Sequence, residues 1–363
     1  MDMTGDEKFM RVALRLARRG VGRTSPNPPV GAVIVKNGEI IGRGYHRRAG
    51  LPHAEIEAIN DALSRGVSDF SDATMYVTLE PCSHWGRTPP CAVRLVEEKF
   101  RRVVVGTIDP NPKVAGRGIK ILRDAGIEVT VGVCEDKARR LIEPFSVFIT
   151  KKRAYCALKY AQSVNGIISL SRDERTIVSG ERAHRFVHRL RDTHDAVIIG
   201  AGTLLADDPA LTVRLVRGRN PVRVVIAGRR KIPPQMRIFT DGAARTVVVS
   251  PGENPFDGAP PKSVEIWHYE GSDYVPVEYV LRRLAEERIM SALCEGGAKI
   301  AAAALAERVV DRVYVIINPR IFPGGVHCPD EEIFSRAGVI SLTDVEYKKL
   351  GEDILLTGRP VYR

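Results

Sequence analysis

Two short stretches limit what the first part of this 363-residue chain can fold into. One is Pro52-His53-Ala54-Glu55. The other is Thr78-Leu79-Glu80-Pro81-Cys82-Ser83-His84-Trp85-Gly86-Arg87-Thr88-Pro89-Pro90-Cys91. Together they supply one imidazole, two thiols and a carboxylate. Three such protein donors leave a tetrahedral zinc ion one open position, the catalytic rather than the structural pattern. Only a strand–loop–helix frame brings these donors together. Met75-Tyr76-Val77 reads within a strand from Met75 to Leu79, and Cys91 opens a helix that runs to Lys99. Residues two apart on a helix point in different directions. His53 and Glu55 can therefore share a site only at a helix end, and Pro52 places them at the start of a helix from Ala54 to Leu63.

The residue types match one chemistry. Zinc lowers the pKa of bound water from ~15.7 to ~7. A carboxylate that does not ligate the metal can then carry protons, and Glu55 is the candidate. The expected ligands of Zn2+ are His53, Cys82 and Cys91. Cys91 and the His53/Glu55 pair fall near helix N-termini, where the dipole favours negative groups. The order follows the zinc-deaminase signature His-x-Glu then Pro-Cys-x-x-Cys, but a longer spacer separates the cysteines here. Two competing readings are inert buried thiols and a closed structural zinc site with His84 as fourth ligand. The second has no use for Glu55.

Composition narrows the partners. Apolar residues make up 44% of the chain, enough for ordinary cores, and the net charge is +11. That excess suggests nucleic acid or small phosphorylated ligands. A zinc-dependent nucleobase deaminase acting on nucleic acid is the alternative function, but it would want aromatic residues beside the site, and these are only 6% of the chain. It also leaves the C-terminal part unexplained. The six cysteines show no framework spacing and read as reduced. Asp2, Asp6, Glu7 and Lys8 interrupt any apolar N-terminal core, and no apolar run is long enough to span a membrane. The expected location is cytoplasmic, with room for a homo-oligomer.

Asp6 to Arg19 has apolar residues at helical spacing, and Gly20 closes it. Ser25-Pro26-Asn27-Pro28-Pro29 is a stiff loop. Val30 to Val35 and Ile40 to Gly44 read as strands joined by the hairpin turn Asn37-Gly38. Val103 to Thr107 and Glu128 to Val133 are further strands, with helices at Gly118 to Ala125 and Asp136 to Phe148. This alternation predicts an α/β sandwich over residues 1–150. The basic seam Lys151-Lys152-Arg153 marks the boundary, and 151–363 reads as a second α/β domain. Its strands are Tyr155 to Tyr160, Ala196 to Gly200, Val222 to Ala227, Thr246 to Ser250, Val264 to Tyr269, Ser291 to Cys294 and Val313 to Ile317. Its helices are Arg182 to Arg191, Glu278 to Glu287 and Lys299 to Leu305, and Ile340 to Tyr347 with Ile354 to Leu356 forms an antiparallel tail.

Two stretches of the second domain carry chemistry. Glu295-Gly296-Gly297 follows a strand and precedes a helix, where glycines let a ligand approach and a helix N-terminus attracts phosphate. It is not the G-x-G-x-x-G fingerprint, so a Rossmann site is not expected. Gly200-Ala201-Gly202-Thr203 and Asp207 to Arg214 put glycines, a hydroxyl, carboxylates and an arginine in what reads as a loop after a strand.

At these residues the whole chain resembles the bifunctional riboflavin-biosynthesis deaminase/reductases. The matching stretches are Asn27 to Gly31, His53-Ala54-Glu55, Thr78 to Cys91, Asp109 to Pro112 with Val114 to Gly118, Ala157-Leu158-Lys159-Tyr160, Asp207 to Arg214 and Glu295-Gly296-Gly297. The longer cysteine spacer, with Gly86 to Pro90, is a mark of that family. The resemblance implies a cytidine-deaminase-like α/β/α sandwich followed by a dihydrofolate-reductase-like α/β domain. It implies zinc-dependent deamination of a phosphorylated pyrimidine, then NADPH-dependent reduction of its ribosyl group. It places Asn27 in the deaminase pocket, and Arg175, Arg191, Leu211, Arg214 and Glu295 at reductase substrate positions. Ala161, Ile177, Thr203, Asp207, Gly228, Gly297, Ala298 and Lys299 match NADPH positions. The chain departs from the family at Ser163-Val164-Asn165-Gly166, where Ser-Leu-Asp-Gly is usual, and at Arg175 and Ile177, where serine and tryptophan are common. These departures all lie in the second domain.

Overall fold

The computed structural model describes residues 5–85, 89–112, 114–335 and 337–362. The chain divides into two compact units, Met1–Lys152 and Arg153–Arg363.

The first unit runs α1 (Gly5–Ala17), β1 (Gly31–Lys36), β2 (Glu39–Tyr45), α2 (Ala54–Ser64), β3 (Thr74–Val77), α3 (Cys91–Glu97), β4 (Arg102–Val105), α4 (Arg117–Asp124), β5 (Glu128–Val131), α5 (Glu135–Leu141) and α6 (Glu143–Lys151). Its sheet has the order β2-β1-β3-β4-β5. β1 is antiparallel to β2 and β3, while β3, β4 and β5 are parallel. Asn37 and Gly38 both take positive φ, as a two-residue hairpin turn of this twist requires. Alternation along β1 sends Ala32 and Ile34 to one face, against Ala58, Ile59 and Leu95. Val33 and Val35 go to the other, against Met10, Ala13 and Ala138. The result is a three-layer α/β/α sandwich.

The single helix expected from Asp136 to Phe148 is broken at Ile142 into α5 and α6. Pro144 stands in the first turn of α6, where it has no N–H to continue the preceding helix. The basic seam is also less solvated than its sequence suggests. Lys152 ends α6 in a left-handed conformation, but Arg153 is buried and paired with Asp311 at 2.7 Å.

The second unit contains β6 (Tyr155–Ser163), β7 (Ile167–Ser169), α7 (Glu181–Thr193), β8 (Ala196–Gly200), α8 (Ala201–Asp207), β9 (Val222–Ile226), α9 (Arg237–Thr240), β10 (Thr246–Ser250) and β11 (Val264–His268). It continues with α10 (Val277–Glu286), β12 (Ser291–Cys294), α11 (Ala298–Ala306), β13 (Arg312–Asn318), β14 (Val326–His327), α12 (Glu331–Phe334), β15 (Ile340–Leu350) and β16 (Asp353–Tyr362). The main sheet has nine strands in the order β11-β10-β9-β8-β12-β6-β13-β16-β15. It is parallel from β11 to β13, and the tail adds two antiparallel strands. Ile198, Val224 and Val247 face α10 and α11 on one side, and Ile199, Val225 and Val248 pack with Leu204 and Phe239 on the other. The segment after β8, expected as a loop, is the helix α8. The hairpin-like pair β7/β14 gave no sequence signal, since each strand is two or three residues long.

Candidate active sites

In the first unit, close packing of α2 on β2 sets where its N-terminus lies. A Cβ on Gly42 or Gly44 would come within 2.4 or 2.2 Å of the Ala58 and Ala54 carbonyls, so only glycine allows that approach. His53 caps α2 in an extended conformation. Its Nδ1 lies 3.6 Å from Cys82 Sγ and 3.3 Å from Cys91 Sγ. The Cys91 N–H, at the start of α3, donates to Cys82 Sγ at 3.2 Å. The three donor atoms lie within 4.8 Å of one another. Among the described residues His84 is not part of this group; it sits exposed in the loop. Gly86, Arg87 and Thr88 lie outside the described residues.

The donor set fits zinc: two soft sulfurs and one imidazole nitrogen. Its charges also call for a cation. Hydrogen bonding with Cys91 pulls Cys82 down to about 4 and, in turn, pushes Cys91 well above the ordinary thiol value. The bond to Cys82 raises His53 to about 9. A dication among them would let both sulfurs ionise and the imidazole stay neutral. Glu55, in the first turn of α2, is 3% exposed and outside the donor group. Burial raises its carboxyl to about 7.

Two residues that carry the frame were not recognised in the sequence. The His46 Nδ1 lies 3.0 Å from the Pro52 carbonyl, which can only accept, so Nδ1 holds the hydrogen and the neutral ring accepts the Asn27 Nδ2 hydrogen at Nε2, 3.1 Å away. Asn27 and the residue before His53 are thus fixed by one ring. Glu80, 3% exposed, accepts four backbone N–H groups, from Asp109, Gly116, Gly118 and Ile119, at 2.9–3.3 Å. It caps α4 from outside and ties the Asp109 loop to the cysteine loop. A carboxylate at the end of an apolar strand was the available signal.

In the second unit, the C-terminal ends of β6, β8, β9 and β12 open into a cavity of about 930 Å³. That is where parallel sheets bind ligands. Every residue assigned to reductase substrate or cofactor by sequence walls this cavity. The two glycine-containing stretches meet there: the Gly297 N–H donates to Thr203 Oγ1 at 3.0 Å. Gly296 has a packing reason as well, since a Cβ would lie 2.5 Å from Ile300.

Arg191 differs from expectation. The resemblance puts it at a substrate position, where its guanidinium would be open to a ligand. Instead Nε and Nη2 donate to Glu295 at 2.5 and 3.0 Å, and Nη1 donates to the Thr212 carbonyl at 3.2 Å. Burial alone would raise the Glu295 carboxyl, but Arg191 and Lys159 hold it below its ordinary value. Arg175 and Arg214 make no ion pair among the described residues. Lys159 was also missed. It lines the cavity from β6, and burial lowers its ammonium despite Glu295 and Asp207 nearby; a lysine inside an otherwise apolar strand was its signal.

The departures are built into this frame. Asn165 Nδ2 donates to the Phe322 carbonyl at 2.8 Å, while its Oδ1 accepts the Phe322 N–H at 3.1 Å and the Ser163 hydroxyl at 2.8 Å. Aspartate could not make the first bond. Arg320 donates to the carbonyls of Ile177 and Val178, fixing the rim where Ile177 lies.

Family models match both units: the cytidine and deoxycytidylate deaminase zinc-binding region over residues 3–107, and the RibD C-terminal domain over 154–356. The riboflavin biosynthesis protein RibD of Aquifex aeolicus (strain VF5) is 38% identical over 353 residues, 97% of each chain. That of Escherichia coli (strain K12) is 38% identical over 337 residues, 87% of this chain and 88% of its own. A crystal structure of a diaminohydroxyphosphoribosylaminopyrimidine deaminase/5-amino-6-(5-phosphoribosylamino)uracil reductase from Thermotoga maritima aligns with TM-score 0.86 at 38% identity, covering 98% of this chain and 99% of that one. Acinetobacter baumannii RibD aligns with TM-score 0.83 at 34% identity, with the same coverage. No helix among the described residues is long and apolar enough to cross a membrane. Likeness over both units accounts for the residues that a nucleic-acid deaminase leaves unexplained, and the chain belongs to the RibD family of bifunctional riboflavin-biosynthesis deaminase/reductases.

Proposed function

We propose that the first unit hydrolytically deaminates a diaminopyrimidinone bearing a phosphoribosylamino group, and that the second reduces the ribosyl group of the deaminated product to ribityl with NADPH. The observation that carries the first half is a buried carboxylate, Glu55, beside but outside a three-donor metal group. His53, Cys82 and Cys91 would hold zinc, which when bound makes hydroxide available near neutral pH. Glu55 takes one proton from the attacking water and passes it to the ring nitrogen, then takes the second proton from the hydroxyl on the attacked ring carbon and passes it to the amine, which leaves as ammonia. Asn27, with its Nδ2 held by His46, leaves its Oδ1 for the exocyclic amines.

In the second unit NADPH, when bound, supplies the hydride. Lys159 offers positive charge to the sugar oxygen that gains negative charge as reduction proceeds. Glu295, fixed by Arg191, is placed for the pyrimidine or ribose hydroxyls. Arg214, whose guanidinium has no ion-pair partner among the described residues, suits the phosphate. The preference for NADPH over NADH is supported by the turn after β9. Arg229 there pairs with Asp273 and Lys231 donates to the Asn254 carbonyl, but Arg230 walls the cavity with no ion pair among the described residues, available for a ribose phosphate. The test is a coupled assay of the full chain with zinc, the pyrimidine and either nicotinamide cofactor. Ammonia release followed by NADPH consumption is expected, with Arg230→Ala narrowing the preference for NADPH. NADPH consumption without ammonia release would overturn the deaminase assignment.

A further inference from the structure

The second-unit cavity contains a buried histidine to which the reading above gives no role. His188 lies on α7, one turn before Arg191, and is 4% exposed while still walling the cavity. Its Nδ1 receives two backbone N–H groups, from Arg214 at 3.0 Å and from Leu215 at 3.4 Å. A ring nitrogen that accepts a hydrogen bond carries no hydrogen, so the neutral ring holds its hydrogen on Nε2. Burial, with Arg191 and Arg214 beside it, pushes this imidazole down to about 4 and keeps it neutral. Among the described residues no acceptor takes the Nε2 hydrogen.

The loop that His188 holds is pinned along its length. Asp208 Oδ1 accepts the Arg237 N–H at 2.8 Å, and Arg223 donates to the Ala210 carbonyl at 3.2 Å. Arg191 donates to the Thr212 carbonyl, and the Val213 N–H donates to Asn220 at 2.8 Å. Leu211 is held at φ 52, a conformation leucine adopts only where its surroundings impose it. Of these supports, His188 is the one that grips Arg214 itself. The backbone of Arg214 is therefore fixed while its guanidinium has no ion-pair partner among the described residues. Arg175, Arg191 and Arg237 stand close enough to repel it, as suits a place prepared for an anion.

We propose that His188 is the positioning residue that makes the reductase selective for a phosphorylated over an unphosphorylated ribosyl substrate. Through Nδ1 it fixes where the Arg214 guanidinium meets the phosphate. The inference rests on the reading of the second unit as the reductase of a phosphorylated substrate.

Reductase kinetics of the full chain separate the possibilities, using the deaminated phosphoribosyl compound and the same compound after phosphatase treatment. His188→Ala is expected to raise KM for the phosphorylated compound about tenfold, with kcat and the KM for NADPH little changed. With the dephosphorylated compound it should match the unaltered protein. His188→Asn places Oδ1 where Nδ1 was and should recover most of the loss. His188→Gln leaves that position empty and should behave like alanine, which keeps the test decisive if the alanine variant melts. Arg214→Ala should show the same selectivity loss, and adding His188→Ala should not deepen it. Equal KM increases for both compounds, or additive effects of the two substitutions, would overturn the proposal. A chain that reduces neither compound would overturn the reductase reading itself.

Discussion

Replacing Arg191 by alanine should destabilise the second unit in a pH-dependent way. The Arg191 and Glu295 side chains are 11% and 9% exposed and joined by a bidentate pair. Removing one partner of a buried pair leaves an uncompensated charge and costs about 3–5 kcal/mol. The lost bond to the Thr212 carbonyl adds about 1 kcal/mol. Against a typical domain stability of about 5–15 kcal/mol, the variant is near the edge of folding. In the unaltered protein Glu295 titrates below its ordinary value, so its contribution is present above the unfolded pKa and is lost as pH falls through the folded one. In the variant, burial acts without Arg191 and raises the Glu295 carboxyl. The carboxylate then opposes folding as pH rises past the unfolded pKa. The stability difference should therefore be largest at neutral pH and above, and shrink away only as pH falls below the ordinary carboxylate range toward the lowered pKa of Glu295. The chain has two tryptophans, Trp85 in the first unit and Trp267 buried in the core of the second. Urea melts of a Trp85→Phe background thus report the second unit through Trp267. Replacing both partners by apolar residues of similar size should restore most of the stability, though not activity. A loss under about 1 kcal/mol at all pH values would refute the claim that this pair is buried and coupled as described.

Further outcomes follow from the same structure. Glu55→Gln should keep its metal, measured by elemental analysis, while deamination falls at least 10²–10⁴-fold; loss of zinc would make Glu55 a ligand. Cys82→Ser should abolish ammonia release while NADPH-dependent reduction of the deaminated intermediate persists, and a folded variant lacking both activities would contradict two separate sites. Gly118→Ala should lower zinc affinity and melt the first unit earlier, because its Cβ would lie 2.0 Å from the Pro81 carbonyl; an unchanged melt would show that the loop yields freely. Burial pushes the His188 imidazole down to about 4 and holds that of His194 below its ordinary value, so the stability they contribute is present above about pH 6.5 and is lost as pH falls through the folded values. Acid titration of Trp267 fluorescence should show this loss, reduced in His188→Asn.

Much of the fold was readable because buried parallel strands are short apolar runs with sharp ends. Ala196–Gly200, Thr246–Ser250 and Ser291–Cys294 fall where the pattern placed them. The metal group was readable for a different reason: few residue types bind zinc, and a helix end is the one place where His53 and Glu55 can work together. Helix α8 was hidden because glycine and threonine in its first turn have weak helix preference, while the following residues have no apolar stripe long enough to show. The supporting contacts were hidden because they are non-local. Asn27 meets His46 across 19 positions, His188 meets Arg214 across 26, and Glu80 meets Gly118 across 38. Periodicity reports only neighbours along the chain.

The positive charge acquires a meaning only when its partners are known. Arg65, Arg94, Arg139, Arg185 and Arg282 pair with carboxylates one turn away on exposed helix faces, contacts that contribute only about 0.3–0.5 kcal/mol each. Arg153, Arg191 and Arg223 are buried with Asp311, Glu295 and Asp241, where they order loops rather than attract ligands. Around the cavity the pattern reverses. Arg175, Arg214, Arg230 and Arg237 all wall it and make no ion pair among the described residues. Cations left unpaired around a concave surface concentrate field there and raise the local density of anions. A phosphorylated pyrimidine and a phosphorylated dinucleotide both profit from that arrangement. A polynucleotide would need the excess spread along an open face instead. The same net charge thus argues for small phosphates once its distribution over pairs and cavity is known, and salt should weaken both reductase ligands together.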